Sequence, residues 1–199
     1  MNLSALKSPP FRSYVVSLHL ALNGFWAQRV IIGWLAWEMT GSAGFVGLVA
    51  FLNFFPTLFV SPLFGVFADR IDVRKGSILS YALAGILSAL FAGLCIFGSP
   101  TPVLLALFSF VTGVISSANH PMRMSLTPRL APAGDLPSVV AITSLNFNMS
   151  RLTGPAIGGI LIQTIGAPLA FAVTAVTYAA PVTAIYFCLL YTSPSPRDQ

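Results

Sequence analysis

Six apolar stretches, at residues 14 to 37, 44 to 67, 77 to 98, 102 to 119, 138 to 164 and 168 to 190, leave this 199-residue chain few ways to fold. Each has about the 20 residues that an α-helix needs to cross a hydrocarbon core. Inside lipid a backbone must satisfy its own N–H and C=O groups, so helices of this length are the natural way across. The connectors are short and rich in helix breakers: Thr40-Gly41-Ser42, Asp69 to Lys75, Ser99-Pro100, His120 to Pro137, and Gly166-Ala167-Pro168. Charged residues make up 8% of the chain and hydrophobic ones 56%, too little charge to cover a water-soluble domain. The expected fold is all-α: a polytopic bundle of six transmembrane helices.

The basic residues orient it. Ten Lys and Arg stand against five Asp and Glu, for a net charge of +5. Apart from Arg29 and Arg151 they are scattered at the ends of apolar runs, which suits lipid headgroups and topology and speaks against a nucleic-acid partner. Lys7, Arg12, Arg70, Arg74, Lys75, Arg123 and Arg129 all fall on one side of a six-span topology. The positive-inside rule places that side, with both termini, in the cytoplasm. Residues 1–13 then form a cytoplasmic N-terminus and 14–187 the bundle, with Trp34 and Trp37 at the outer interface. The first run is too long for the apolar core of a signal peptide and reads as a permanent span. Cys95 and Cys188 suggest no disulfide. With no nucleotide-binding loop, metal-ligand cluster or nucleophile paired with a base, we expect no enzyme activity, no cofactor and no metal, and an ion gradient as the energy source.

Spans two and five share a pattern. Shifted by 93 residues, Val46, Leu52, Asn53, Phe54, Pro62 and Gly65 fall on Val139, Leu145, Asn146, Phe147, Pro155 and Gly158. Asn and Pro are scarce in spanning helices, so their common spacing points to a repeat. The copies would cross the membrane in opposite directions, as in the inverted three-plus-three repeats of secondary transporters.

Two local motifs stand out. Gly65 to Lys75, GVFADRIDVRK, is a charged turn between apolar spans. Asp69 opposes the negative end of the dipole of its own helix and calls for compensating positive charge, part of it from Arg70 and Arg74. Asp72 is placed to cap span three. In span five, Gly154-Pro155-Ala156-Ile157-Gly158-Gly159 carries glycines four apart for close helix approach, and a proline able to bend the helix.

Gly65, Ala68, Asp69, Arg70 and Arg74, together with the GPxxGG element, resemble the signatures of the major facilitator superfamily. The similarity runs from Phe11 to Tyr186 and is to the N-terminal six-helix half, nearest the bacterial drug and siderophore exporter branch. Phe67, Asp72 and Val73 depart from the loop pattern, and Asp72 suits that branch. The resemblance implies a gating loop of Gly65, Asp69, Arg70, Asp72 and Arg74 that latches against a second six-helix half. It further implies a helix-packing motif at Gly154, Pro155, Gly158 and Gly159, and a central cavity lined by spans one, two, four and five.

Arg29 and Arg151 fall near the middle of spans one and five, where a charge is costly and usually faces a cavity or a partner. With Asn23, Gln28, Asn53 and Asn146 they are the candidate cavity and substrate residues. The asparagines are interhelical hydrogen-bond candidates first and substrate contacts second. His19 and His120 lie toward the cytoplasmic ends of spans one and four, and Glu38 at the outer edge of span one reads as a solvated carboxylate.

From Cys188 the sequence CLLYTSPSPRDQ turns abruptly polar and resembles a translated sequencing adapter, so 188–199 is set apart from the fold. The expected function is secondary active export of a small-molecule substrate by alternating access, in the inner membrane. Its expected partners are the bilayer and a missing C-terminal six-helix half. The alternative is a receptor or assembly protein on the same scaffold. A channel would need a polar ring at a constriction, which isolated arginines do not make.

Overall fold

The computed structural model describes residues 4–68, 72–130 and 135–188. Helix α1, Pro9–Thr40, opens on two prolines, whose missing N–H groups are lost where no helical partner exists. It ends at Gly41, in the left-handed conformation (φ 61°), whose N–H donates to the Trp37 carbonyl at 2.7 Å. After Ser42, whose Oγ accepts from the Phe45 N–H, comes α2, Ala43–Ala68. Asp72 caps α3, Val73–Phe97, by accepting from the Arg74 N–H at 2.9 Å. Thr101 caps α4, Pro102–Leu126, and a 3₁₀ turn at Thr127–Leu130 follows. Then come α5, Leu136–Thr177, and α6, Ala179–Cys188. Among the described residues there is no strand.

The last apolar helical stretch, Leu136–Phe187, has 52 residues. Straight, it would measure about 78 Å at 1.5 Å per residue, more than twice a hydrocarbon core of about 30 Å. It folds back instead at Gly166, whose φ of 77° and ψ of 164° lie in a region open essentially to glycine. Two contacts show the hairpin. Gly154, twelve residues before the break, packs on Asn23, Trp26 and Ala27, and Thr177, eleven residues after it, packs on Gly24 at the same level of α1. The limb beyond Gly166 and α6 together form the sixth crossing.

Helix ends differ from the sequence reading. Helix α1 starts at Pro9, five residues before the expected 14, because Phe11 and Tyr14 are fully buried against the bundle. Helix α4 runs past His120 through Pro121 to Leu126, where a connector was expected. Pro121 removes one backbone bond, but Met122 and Leu126 are buried, and their packing carries the helix on. The segment before α1 is tied to the start of α5: Ser4 Oγ donates to Asp135 Oδ1 at 2.6 Å and the Ala5 N–H to Ser138 Oγ at 3.2 Å. Residues 189–199, the polar tail, lie outside the described residues.

Helix α1 pairs with α5 and α2 with α4, and α3 packs on α4, α5 and α6. Under the inverted repeat, helices one, two and three correspond to four, five and six, so the α1–α5 pair is the counterpart of α4–α2. One apolar cluster gathers Phe11, Tyr14, Leu18, Leu126, Val139 and Ile185. A second, toward the other end of α1, holds Ile31, Leu35, Val49, Phe91, Phe108 and Phe171. Its rings interlock, Phe91 stacking on Phe108 at 4.2 Å and Phe171 standing edge-on to both. The outer surface is apolar too: Leu90, Leu152 and Val176 are each more than 65% exposed, a surface suited to lipid tails rather than water.

Close approach decides the α1–α5 contact. A Cβ added to Gly158 would stand 2.8 Å from the Ala27 carbonyl oxygen, and one on Gly154 would stand 2.5 Å from Trp26 Cβ. Gly159, expected in the same motif, faces away from α1 with open space around it, because it is one step round the helix from the contact stripe. Gly158→Leu is therefore expected to lower the stability of the detergent-solubilised protein by about 1–3 kcal/mol through overpacking. Gly159→Leu should stay within about 0.5 kcal/mol. Midpoints of denaturation in sodium dodecyl sulfate compare the two.

Candidate functional site

The bundle lines a partly open cavity of about 300 Å³. Helix α1 contributes Phe25, Trp26 and Arg29 to its wall, α2 Phe54, α4 Arg123 and α5 Phe147. Arg29 comes from mid-helix, and its guanidinium carbon lies 3.9 Å from the centre of the Phe54 ring, 4.5 Å from Phe25 and 5.0 Å from Trp26. Aromatic faces offset part of the cost of a charge at that depth. They accept hydrogen bonds poorly, and the buried Arg29 Nε and Trp26 Nε1 have no hydrogen-bond partner among the described residues.

Arg151, the other arginine expected in the cavity, does not line it. Ser150, Gly154 and Gly158 are buried on the stripe of α5 that faces α1, whereas Arg151 beside them is exposed, with its guanidinium 5.7 Å from the Trp26 ring. Arg123 lines the cavity in its place. In the sequence Arg123 has the pattern of an orienting charge in a connector from His120 to Pro137, whereas the structure carries it on α4. The signal that would have found it was the repeat extended to spans one and four: Arg123 stands 94 residues after Arg29.

The candidate amides hold helices together. Asn146 on α5 donates from Nδ2 to the Val15 carbonyl at 3.1 Å, and its Oδ1 is 2.6 Å from His19 Nδ1. Asn23 Nδ2 lies 3.1 Å from His19 Nε2 and donates to Ser150 Oγ at 3.3 Å, while its Oδ1 accepts from Thr153 Oγ1 at 2.6 Å. An amide oxygen only accepts and an amide nitrogen only donates, so a neutral His19 with its proton on Nδ1 satisfies both contacts. Asn53 on α2 donates to the Ser109 carbonyl at 3.2 Å and to Thr112 Oγ1 at 3.0 Å. Gln28 Oε1 accepts from Ser88 Oγ at 3.2 Å and from Tyr178 OH at 3.1 Å. Asn23 and Asn146 thus sit in the α1–α5 interface rather than on the main cavity wall. Gln28 and Asn53 border a second, much smaller pocket with Arg29.

The two asparagines of the repeat reach corresponding positions on their partner helices, although Asn53 does so through Nδ2 alone and Asn146 through Nδ2 and Oδ1. Asn53 reaches a carbonyl and a side chain on α4, and Asn146 a carbonyl and a side chain on α1. Their partners are themselves in register: Ser109 stands 94 residues after Val15 and Thr112 93 after His19. The shift seen in spans two and five therefore relates the helices they pack against as well.

In the charged turn, Asp72 is exposed and occupied as the cap of α3, and Arg74 Nη2 donates to the Tyr186 carbonyl at 3.1 Å. Gly65 lies within α2, and Asp69 and Arg70 fall outside the described residues. His120 is exposed at the cavity wall, and Glu38 is exposed near the end of α1. Among the described residues no group of His, Cys, Asp and Glu is arranged to hold a metal.

The family model described as transmembrane secretion effector matches residues 1–195. The chain is similar to the Staphyloferrin A transporter of Staphylococcus aureus, 26% identical over 87% of this chain and 43% of the relative. It is also similar to the multidrug efflux pump Tap of Mycobacterium bovis, 27% identical over 90% of this chain and 44% of the relative. A third relative is the enterobactin exporter EntS of Shigella boydii serotype 4, 29% identical over 100% of this chain and 48% of the relative. The chain thus spans about half the length of the curated relatives it matches. No solved structure matches it.

The paired amides yield a prediction. Asn53→Leu and Asn146→Leu should each lower stability by about 0.6–1.7 kcal/mol, the range of interhelical hydrogen bonds in lipid. A double-mutant cycle of Asn146→Leu with His19→Leu should show coupling, and one of Asn146→Leu with Asn53→Leu none.

Proposed function

The chain belongs to the transmembrane secretion effector family of the major facilitator superfamily, in the drug and siderophore exporter branch, and on that premise we propose that it is one half of a secondary transporter that exports small molecules by alternating access. The observation that carries this reading is the inverted pairing of α1–α5 with α2–α4 around one cavity. Such repeats rock against each other around a midplane site. The relatives named above are a siderophore transporter, a multidrug pump and a siderophore exporter, and each is about twice as long as the region matched.

In this reading the second wall of the cavity comes from a further six-helix half. That half covers the exposed Arg151 and the exposed faces of Phe54 and Leu58. The protein resides in the inner membrane with both termini cytoplasmic, the orientation favoured by the basic residues. Asp69 and Arg70 act as the latch to the second half. Asp72, already engaged with the Arg74 N–H, serves the start of α3. The chain acts without catalysis, cofactor or nucleic acid.

Proteoliposomes carrying this chain joined to the six-helix half of its full-length gene should show saturable flux driven by a proton or sodium gradient, and this chain by itself none. Absence of flux under every imposed gradient, with tight binding of a soluble protein instead, would favour a receptor. In the joined protein, Asp69→Asn is expected to reduce flux at least about tenfold, whereas Asp72→Ala should cost about 1 kcal/mol of stability through the lost cap.

A further inference from the structure

The cavity has a symmetry that its charge makes meaningful. Phe147 stands 93 residues after Phe54, as Arg123 stands 94 after Arg29. Arg29 on α1 lies 3.9 Å over Phe54 on α2, and Arg123 on α4 lies 5.7 Å over Phe147 on α5. One arginine and one phenylalanine, on consecutive helices, thus occur twice, once in each inverted repeat. Both copies face the same cavity.

Among the described residues no Asp or Glu lines that cavity. Two guanidiniums without a lining carboxylate make its field positive, and low-dielectric walls strengthen such a field. An organic cation is repelled there, and a neutral molecule gains nothing from the charge. Arg29 Nε and Trp26 Nε1 are buried without a hydrogen-bond partner among the described residues, so the guanidinium meets the cavity through its terminal nitrogens. A guanidinium stacked on a ring keeps its edge N–H groups free, and that edge matches a carboxylate or another planar oxyanion.

The space between the two arginines is aromatic. Phe147 is 5.7 Å from Arg123 and 5.9 Å edge-on to Trp26, which is 5.0 Å from Arg29. These rings offer faces and edges to a flat apolar body. Resting on the exporter reading of this cavity, we infer that its substrate is an aromatic oxyanion, whose charge is held by Arg29 and Arg123 and whose ring lies along Trp26 and Phe147.

Equilibrium dialysis tests this with the 199-residue chain in nanodiscs of zwitterionic phosphatidylcholine, using 2-naphthoate and its uncharged isostere 2-naphthamide as probes. Naphthoate should bind at least about tenfold more tightly than naphthamide. Arg29→Gln and Arg123→Gln should each reduce that ratio at least about fivefold. Arg29→Lys and Arg123→Lys retain the charge and should keep more of the preference than the Gln variants, and the exposed Arg12→Gln should leave it at the wild-type value. A wild-type ratio below tenfold overturns the inference without any variant. So does a smaller drop in either Gln variant whose helical circular dichroism is intact. Binding is read without a gradient, so its failure leaves the transport reading standing. Loss of flux in the full-length protein would likewise leave the anion preference standing.

Discussion

Everything in this bundle depends on how closely α5 approaches α1. Lipid tails are as apolar as leucine, so burying apolar side chains between helices gives no drive of the kind that assembles a soluble core. Contact has to come from close packing and from polar groups that find each other. Gly154 and Gly158 let the backbone of α5 rest on Asn23, Trp26 and Ala27. At that distance Asn146 meets His19, and Ser150 and Thr153 meet Asn23. The counterpart pair is built the same way: Gly113 of α4 sits against the Asn53 backbone of α2, and the Asn53 side chain reaches Ser109 and Thr112.

These two approaches also make the cavity. They hold α1 and α4 as the inner members of each pair and leave Arg29 and Arg123 facing a shared space. Apolar clusters lie on either side of it along α1, one around Tyr14 and Leu126 and one around Phe91, Phe108 and Phe171. Between them runs a polar layer in which Gln28 joins α3 through Ser88 and the sixth crossing through Tyr178. The charge of Arg29 is tolerated in mid-membrane because aromatic rings surround it and the cavity admits ligand or solvent.

Much of the fold was legible in the residues. Runs of about 20 apolar residues set the number of crossings, and Gly41, Ser42, Asp72 and Thr101 mark ends that the structure uses as caps or connectors. Asp72 was read as a cap and is one. The register of Asn53 with Asn146 is visible as a spacing, and the structure turns it into interactions with corresponding positions on α4 and α1. The α4 boundary was misread because Pro121 is a local breaker whose effect is outweighed by burial of Met122 and Leu126. That misreading hid Arg123, since a charge in a supposed connector looks like a topology signal. Arg151 misled in the opposite sense, because depth in the membrane can be counted along the chain while direction around the helix cannot.

The sequence by itself determined that the chain is a six-helix membrane bundle with an inverted internal repeat and a shared family signature. These are properties of length, composition, order and spacing, each carried by residues close together or at a constant offset. Tertiary structure alone decided which polar residues bind helices and which face open space. Asn23 and Asn146 became interface residues, Arg29 and Arg123 became neighbours across a cavity, and Arg151 and Gly159 fell outside their expected places. The reason is geometric. A residue every 100° around a helix has its role set by the few ångströms to the next helix, and that distance follows from the packing of the whole bundle.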